Sequence, residues 1–280
     1  MISYILYRMG YLFVTRLPLR CGYAIAIFLS NLKFYLSPRD RRAVIHNLKC
    51  ILPDEDDKKI YALAKVVFIN FGKYLIEFFR FKYLMKDDLG KTVKIEGIEH
   101  VDESLKKGKG VIILAAHIGN WELGGVFMSL LGYPMLAVAL PHRNRKVNAL
   151  FNRQRERIGV EVVPSLGFAV RRIYSALKDN KMVALVGDRD FTNAGKKMPF
   201  LGREKSIPRG PAVLAMRTGA SIVPGFVLRQ RDDTHIIKFL KPLKTEGSEE
   251  EIMRGYTQVI EQMIRQYPTQ WLMFREFWKE

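Results

Sequence analysis

Val111-Ile-Ile-Leu-Ala-Ala-His-Ile-Gly-Asn-Trp-Glu122 is the stretch on which the reading of the fold turns. Its first six residues, Val111 to Ala116, are apolar without interruption and begin with three β-branched side chains. A short run of that kind suits a strand covered on both faces rather than one with a wet side. Gly119 then allows a tight turn, and Trp121 to Leu130 reads as the helix that follows. In open α/β sheets, reactive side chains gather at the carboxyl ends of the strands. His117 stands at that point.

The theme recurs downstream. Met135–Leu140, Val160–Val163, Met182–Val186 and Ile222–Val227 are further short apolar runs, and His235–Phe239 is a more polar strand. Thr92–Glu96 alternates, as an edge strand does. Helical patterns lie between them at Val147–Ile158, Ala169–Lys178 and Pro211–Thr218, with a last helix from about Ser248 to Arg265. This order predicts an α/β fold with a central, mostly parallel or mixed β-sheet flanked by helices. It occupies residues 89–280, after an N-terminal helical region over residues 1–88. Within that region Asp40–Leu48 is amphipathic, and Asp54 is a candidate cap for a second helix that opens with Glu55, Asp56 and Asp57.

Composition bears on partners. The 280 residues carry 46 Lys+Arg against 28 Asp+Glu, a formal net charge of +18, with 48% hydrophobic residues. Such an excess favours anionic lipid surfaces, acidic proteins or phosphates. Nucleic acid is a poor fit, because no helix-turn-helix, zinc-finger or RNP-type pattern accompanies the charge. No acidic residue precedes Asp40, whereas Arg8, Arg16, Arg20, Lys33 and Arg39 are interspersed with Leu12, Phe13 and the run Cys21–Leu29. The longest uncharged run there, residues 21 to 32, is 12 residues, short of the ~20 that a spanning helix needs. Helices lying in the headgroup region, with Arg and Lys snorkelling, are the expectation, against a single span or helices packed on the core. Cys21 and Cys50 are expected to be reduced and to serve as small core hydrophobes.

Three polar clusters fall at strand ends. In the first, His117 precedes Glu122 by about one helical turn. A carboxylate there would fix the imidazole tautomer and leave the other nitrogen to accept a proton. The same pair could equally be a structural histidine held by a glutamate. No GxSxG elbow or nearby cysteine supplies a protein nucleophile, and HExxH is absent, so general-base attack by an acceptor hydroxyl is the simplest chemistry. The second cluster is His142-Arg-Asn-Arg-Lys146 with Arg153, Arg155 and Arg157. Guanidinium groups suit phosphates and carboxylates, so Arg143 and Arg155 are candidate substrate-binding residues, against a solvated basic face. The third is Gly187-Asp-Arg-Asp190, followed by Pro199–Arg203 and Pro208-Arg-Gly-Pro211. Asp188 and Arg189 would order the site or hold the acceptor, and Arg209 begins a helix N-terminus able to bind an anion.

Taken together and in order, Asp40–Leu48, His117–Glu122, Arg143, Arg155–Gly159, Gly187–Asp190, Pro199–Gly202, Ile222–Pro224 and Tyr267–Phe274 resemble the lysophospholipid acyltransferase superfamily. Within it they resemble the branch of lipid A lauroyl/myristoyl acyltransferases. The resemblance implies an α/β acyltransferase with N-terminal membrane-associated helices, peripheral or singly anchored at the cytoplasmic face of the bacterial inner membrane. It implies acyl transfer from acyl carrier protein or acyl-CoA to a hydroxyl of a membrane glycolipid or phospholipid, with no cofactor and no metal. His117 would take the position of the base, Glu122 that of its acidic partner, and Asn120 would join the substrate-binding set. Gly187-Asp-Arg-Asp190 stands where glycerol-phosphate enzymes carry a Phe-Pro-Glu-Gly-like block, which turns the expectation away from glycerol-3-phosphate. The branch also contains enzymes that acylate mannosylated phosphatidylinositol. A non-catalytic lipid-binding protein would share the basic, apolar N-terminus.

Overall fold

Val111–Ala115 forms the central strand β2, and all five of its residues are buried. The structure is a computed structural model that describes residues 2–83, 91–165, 169–191 and 194–279. The remaining strands of the main sheet are β1 (Val93–Glu96), β3 (Met135–Ala139), β4 (Glu161–Pro164), β5 (Met182–Val186), β8 (Ser221–Arg229) and β9 (His235–Phe239). Their order is β1-β9-β8-β2-β5-β3-β4. Every neighbouring pair is parallel except β8 and β9. The mixed, mostly parallel sheet expected from the apolar runs is therefore present, with the alternating strand β1 on an edge.

Helices cover both faces because each β2 side chain needs an apolar partner on its own side. Ile112 and Leu114 pack with residues of α8 (Ala169–Lys178), α9 (Gly210–Thr218) and α10 (Glu249–Gln266). Val111 and Ile113 pack with α5 (Ile98–Leu105), α6 (Trp121–Leu130) and α7 (Arg145–Glu156). Ser248 opens α10 with a capping box to Glu251.

The N-terminal region is helical, as expected, with α1 (Ile2–Val14), α2 (Leu19–Leu36), α3 (Pro38–Ile51) and α4 (Asp57–Phe79). The cap of α4 is Asp56 rather than Asp54, its side chain accepting the Lys59 amide at 2.8 Å. Small residues let α2 and α4 approach closely. A Cβ on Gly72 would come within 2.3 Å of the Ser30 hydroxyl. The inner residues of α2 (Gly22, Tyr23, Ala26, Ser30 and Phe34) are buried. Its outer face bears Phe28, Leu29, Leu32 and Leu36, and Leu36 is 71% exposed. Cys21 is also exposed and Cys50 only half-buried, so the cysteines are not the core hydrophobes expected of them. The expected boundary between residues 88 and 89 lies outside the described residues.

Two further features position the site. A hairpin of β6 (Lys196–Phe200) and β7 (Arg203–Ile207) stands apart from the main sheet. Its two-residue turn, Leu201-Gly202, has positive φ at both positions, the turn geometry that matches strand twist. The second is a C-terminal strap over residues 267–277. Asn47 of α3 holds it by donating to the Met273 and Arg275 carbonyls and accepting from the Phe277 amide.

The turn after β2 is pinned between that strap and β8. The Gly119 amide donates to the Gln270 carbonyl at 2.8 Å, and the Asn120 amide to Val227 at 3.1 Å. Gly119 has φ +62°, and a Cβ there would lie 1.8 Å from the Val227 oxygen. Gly108 has a similar φ of +68° but open space around it. Gly108→Ala is therefore expected to cost only the left-handed backbone, about 1–2 kcal/mol. Gly119→Ala adds a backbone clash and should cost at least about 3 kcal/mol, measured as urea midpoints of the two variants side by side.

Candidate active site

β2 and β5 are parallel neighbours with Ala115 opposite Val186. Two residues beyond that last pair on each strand come His117 and Asp188. Sheet register, not local spacing, therefore places a carboxylate beside the imidazole. His117 Nδ1 lies 2.8 Å from Asp188 Oδ1, and the His117 amide donates to Asp188 Oδ2 at 3.1 Å. The Trp271 indole, carried on the strap, donates to the same Oδ2 at 2.9 Å.

Asp188 has no exposed side-chain surface, while the His117 side chain is 20% exposed. Burial pushes the Asp188 carboxyl up. The neighbouring imidazole and the hydrogen bonds from His117 and Trp271 outweigh that effect and hold it below the usual carboxylate range. With Nδ1 engaged, Nε2 is the His117 nitrogen left to exchange a proton. The ring lies edge-on to Trp121 (5.1 Å between centroids) and to Phe191 (6.2 Å). Trp121 stacks on Tyr74, and Phe71 and Phe274 continue this aromatic row toward α2, where Lys33 sits over both of them.

Glu122 is not the partner of the His117 ring. It receives Arg155 through two hydrogen bonds, one from Nε to Oε2 at 2.7 Å and one from Nη2 to Oε1. Glu122 lies in the first turn of α6, and α7 carries Arg155 to within hydrogen-bond reach of it. Arg155 is in turn buried, with its guanidinium near the Phe78 ring, so it is not a free phosphate clamp as expected. Asn120 is also displaced from its expected substrate-binding place. It is 1% exposed, caps α6 by accepting the Leu123 amide, and donates to Glu77 of α4 at 2.6 Å.

Asp188, expected to order the site or hold an acceptor, contacts both the ring and the amide of His117. Arg189 is half-buried after β5, with its guanidinium 4.6 Å from the centre of the Phe191 ring, so it belongs to the same surroundings as His117. Arg209 makes a two-point contact with Glu249 at the start of α10, one bond being Nη2 to Oε2 at 2.7 Å. That contact engages the guanidinium expected to bind an anion. Arg143 is exposed and lines a cleft of about 560 Å³ with His142, Arg145, Asn152 and Arg153. Asn152 accepts from Arg155 Nη1 at 3.1 Å, which joins the cleft wall to the Glu122 pair.

Sequence reasoning missed Trp271 and Glu77 as neighbours of the site. The only signal for Trp271 is the resemblance of Tyr267–Phe274 to a family segment. Glu77 had one available signal, a lone acid within the aromatic run Val66–Phe79.

Comparison with known proteins supports an acyltransferase. The family model for bacterial lipid A biosynthesis acyltransferases matches residues 1–280. The phosphatidylinositol mannoside acyltransferase of Mycolicibacterium smegmatis is 27% identical over 221 residues, covering 77% of this chain and 72% of that protein. The lipid A biosynthesis palmitoleoyltransferase of Escherichia coli K12 is 25% identical over 238 residues, covering 83% and 76%. A lipid A biosynthesis acyltransferase of Haemophilus influenzae is 22% identical over 216 residues, covering 76% and 65%. A family match over residues 1–280 makes this chain a member of the bacterial lipid A biosynthesis acyltransferases.

Proposed function

We propose that the protein transfers a fatty acyl group from an acyl thioester, carried by acyl carrier protein or CoA, to a hydroxyl of a membrane glycolipid, with His117 as the general base. The observation that carries this reading is the Asp188–His117 pair with one ring nitrogen committed and the ring edge accessible. Nε2 of His117 takes the proton of the acceptor hydroxyl as its oxygen attacks the thioester carbonyl. The tetrahedral intermediate then collapses with cleavage of the C–S bond, and the imidazolium returns the proton to the departing thiolate. Asp188 stays ionised and stabilises the imidazolium. The first-turn amides of α6, at Trp121 and Glu122, have no intrahelical acceptor by position and are the natural donors to the oxyanion. Glu122 fixes that turn by its ion pair with Arg155.

The cleft lined by Arg143, Arg145 and Arg153 suits the phosphates of the donor. The acyl chain is assigned to the surface of the aromatic row from Trp121 to Phe274, which leads from His117 to Lys33 of α2. The outer face of α2 and α1 expose Met9, Phe13, Phe28 and Leu36 among basic residues, which supports seating on an anionic membrane surface. Among the described residues, no helix is long and apolar enough to cross a membrane, so peripheral association is the proposed mode. The inner membrane's cytoplasmic side, where acyl thioesters are supplied, is its proposed location. The acceptor is assigned to the class named for the relatives, a lipid A precursor or a phosphatidylinositol mannoside.

Three measurements test the reading. His117→Ala should lower kcat for acyl transfer at least about 100-fold while vesicle association is unchanged; near-normal turnover would remove the mechanism. Asp188→Asn should impair turnover to a similar degree and also change the pH dependence of stability. The wild-type carboxyl is depressed by folding, so its contribution is present above the ordinary Asp value of about 3.9 and lost as pH falls through the lower folded value. Urea midpoints of wild type and Asp188→Asn should therefore converge in acid and diverge at neutral pH. Replacing Arg143 and Arg153 together by Gln should raise the KM for the donor by about tenfold, or about 1.4 kcal/mol, with the effect shrinking in high salt.

A further inference from the structure

Glu77, near the end of α4, is 8% exposed and followed by Phe78 and Phe79, both buried. A carboxylate in such a place requires compensation, and four other elements supply it. Tyr23 of α2 donates its hydroxyl to Oε1 at 2.6 Å. Arg229, at the end of β8, brings Nη1 to 2.6 Å from the same oxygen. His235 of β9 has Nε2 3.4 Å from Oε2, and Asn120 donates Nδ2 to Oε2 at 2.6 Å. Behind Arg229, Asp233 lies 3.3 Å from Nη1 and pairs with Lys73 at 2.7 Å. Burial raises the Glu77 carboxyl, but His235 and Arg229 more than reverse this, and the group stays ionised well below the usual range.

Asn120 is the informative partner. Capping α6 needs only its Oδ1, a task that Ser, Thr or Asp performs as well. Its Nδ2 is required only by Glu77, and an aspartate here would face that anion. The backbone amide of Asn120 is also spent, on Val227. The residue three places after His117 is thus fixed at every polar side-chain atom, and its outer anchor is Glu77.

We propose that Glu77 is a positioning residue for acyl transfer: through Asn120 it holds the His117–Asn120 turn against β8 and so keeps the His117 ring aligned with Asp188. Tyr23 brings α2 onto the same carboxylate, which bonds the helix with the exposed apolar face to the turn that carries the base. This inference rests on the assignment of His117 as base.

The test uses the full-length protein in detergent, with palmitoyl-CoA and palmitoyl-carrier protein as donors and a bacterial lipid extract as acceptor. Asn120→Ser keeps a capping side chain but cannot reach Glu77. It should unfold within a few degrees of wild type, yet lose between about tenfold and 100-fold in kcat with the donor KM unchanged within about twofold. Asn120→Asp should lose at least as much. The double variant Glu77→Gln with Asn120→Asp reverses the direction of the hydrogen bond and should recover at least about tenfold of that loss. A folded Asn120→Ser protein with wild-type kcat would overturn the proposal. So would failure of the double variant, folded, to improve on Asn120→Asp. If Asn120→Ser does not fold, the double variant decides alone, and its unfolding beside a folded Asn120→Asp also counts against the proposal. Activity of His117→Ala would instead overturn the base assignment. An inactive His117→Ala beside a normal Asn120→Ser removes only the positioning role.

Discussion

A carboxylate with no contact with water, Asp188, is the constraint around which the rest is arranged. In an apolar interior such a charge is costly unless donors converge on it. Three do: the ring and amide of His117 and the indole of Trp271. Each comes from a different requirement of the fold. The amide is there because β2 ends where it does, the ring because β5 is its parallel neighbour, and the indole because the strap crosses both strand ends. Displacing any one of these leaves a buried anion short of a partner.

The same logic explains why the turn after β2 carries a glycine. The strap and β8 approach it so closely that Gly119 has room only for hydrogen where a Cβ would be. Closeness here is useful, because a carbonyl on each side, Gln270 and Val227, can then accept the amides of the residues that follow His117. Backbone contacts thus fix the turn that carries His117.

Much of this was legible in the chain. Fully buried strands such as β2 and β5, and helices such as α6 and α8, declare themselves through unbroken or 3.6-periodic apolar residues. The hairpin β6–β7 did not, because Lys196, Lys197, Pro199, Arg203 and Glu204 are exposed and each strand buries only two residues. A proline also argues against a strand. The strand end points to His117, but the sequence pattern offers it Glu122, five residues away, as partner. Local spacing cannot reveal which strand will lie beside β2; that choice puts Asp188, 71 residues later, in contact. The arginines divide on similar grounds. Arg155 faces a neighbouring helix and is consumed by Glu122, while Arg143 lies in a loop and remains at the cleft.

The strap has a consequence for how the molecule comes into being. Asn47 grips the Arg275 carbonyl across 228 positions of sequence, and Trp271 completes the cradle of Asp188. Contacts of such span close late in folding, after local helices and neighbouring strands have formed. Until residues 267–277 dock, the sheet therefore holds an anion short of its indole donor beneath the histidine. Completion of the surroundings of His117 thus waits on the docking of residues 267–277.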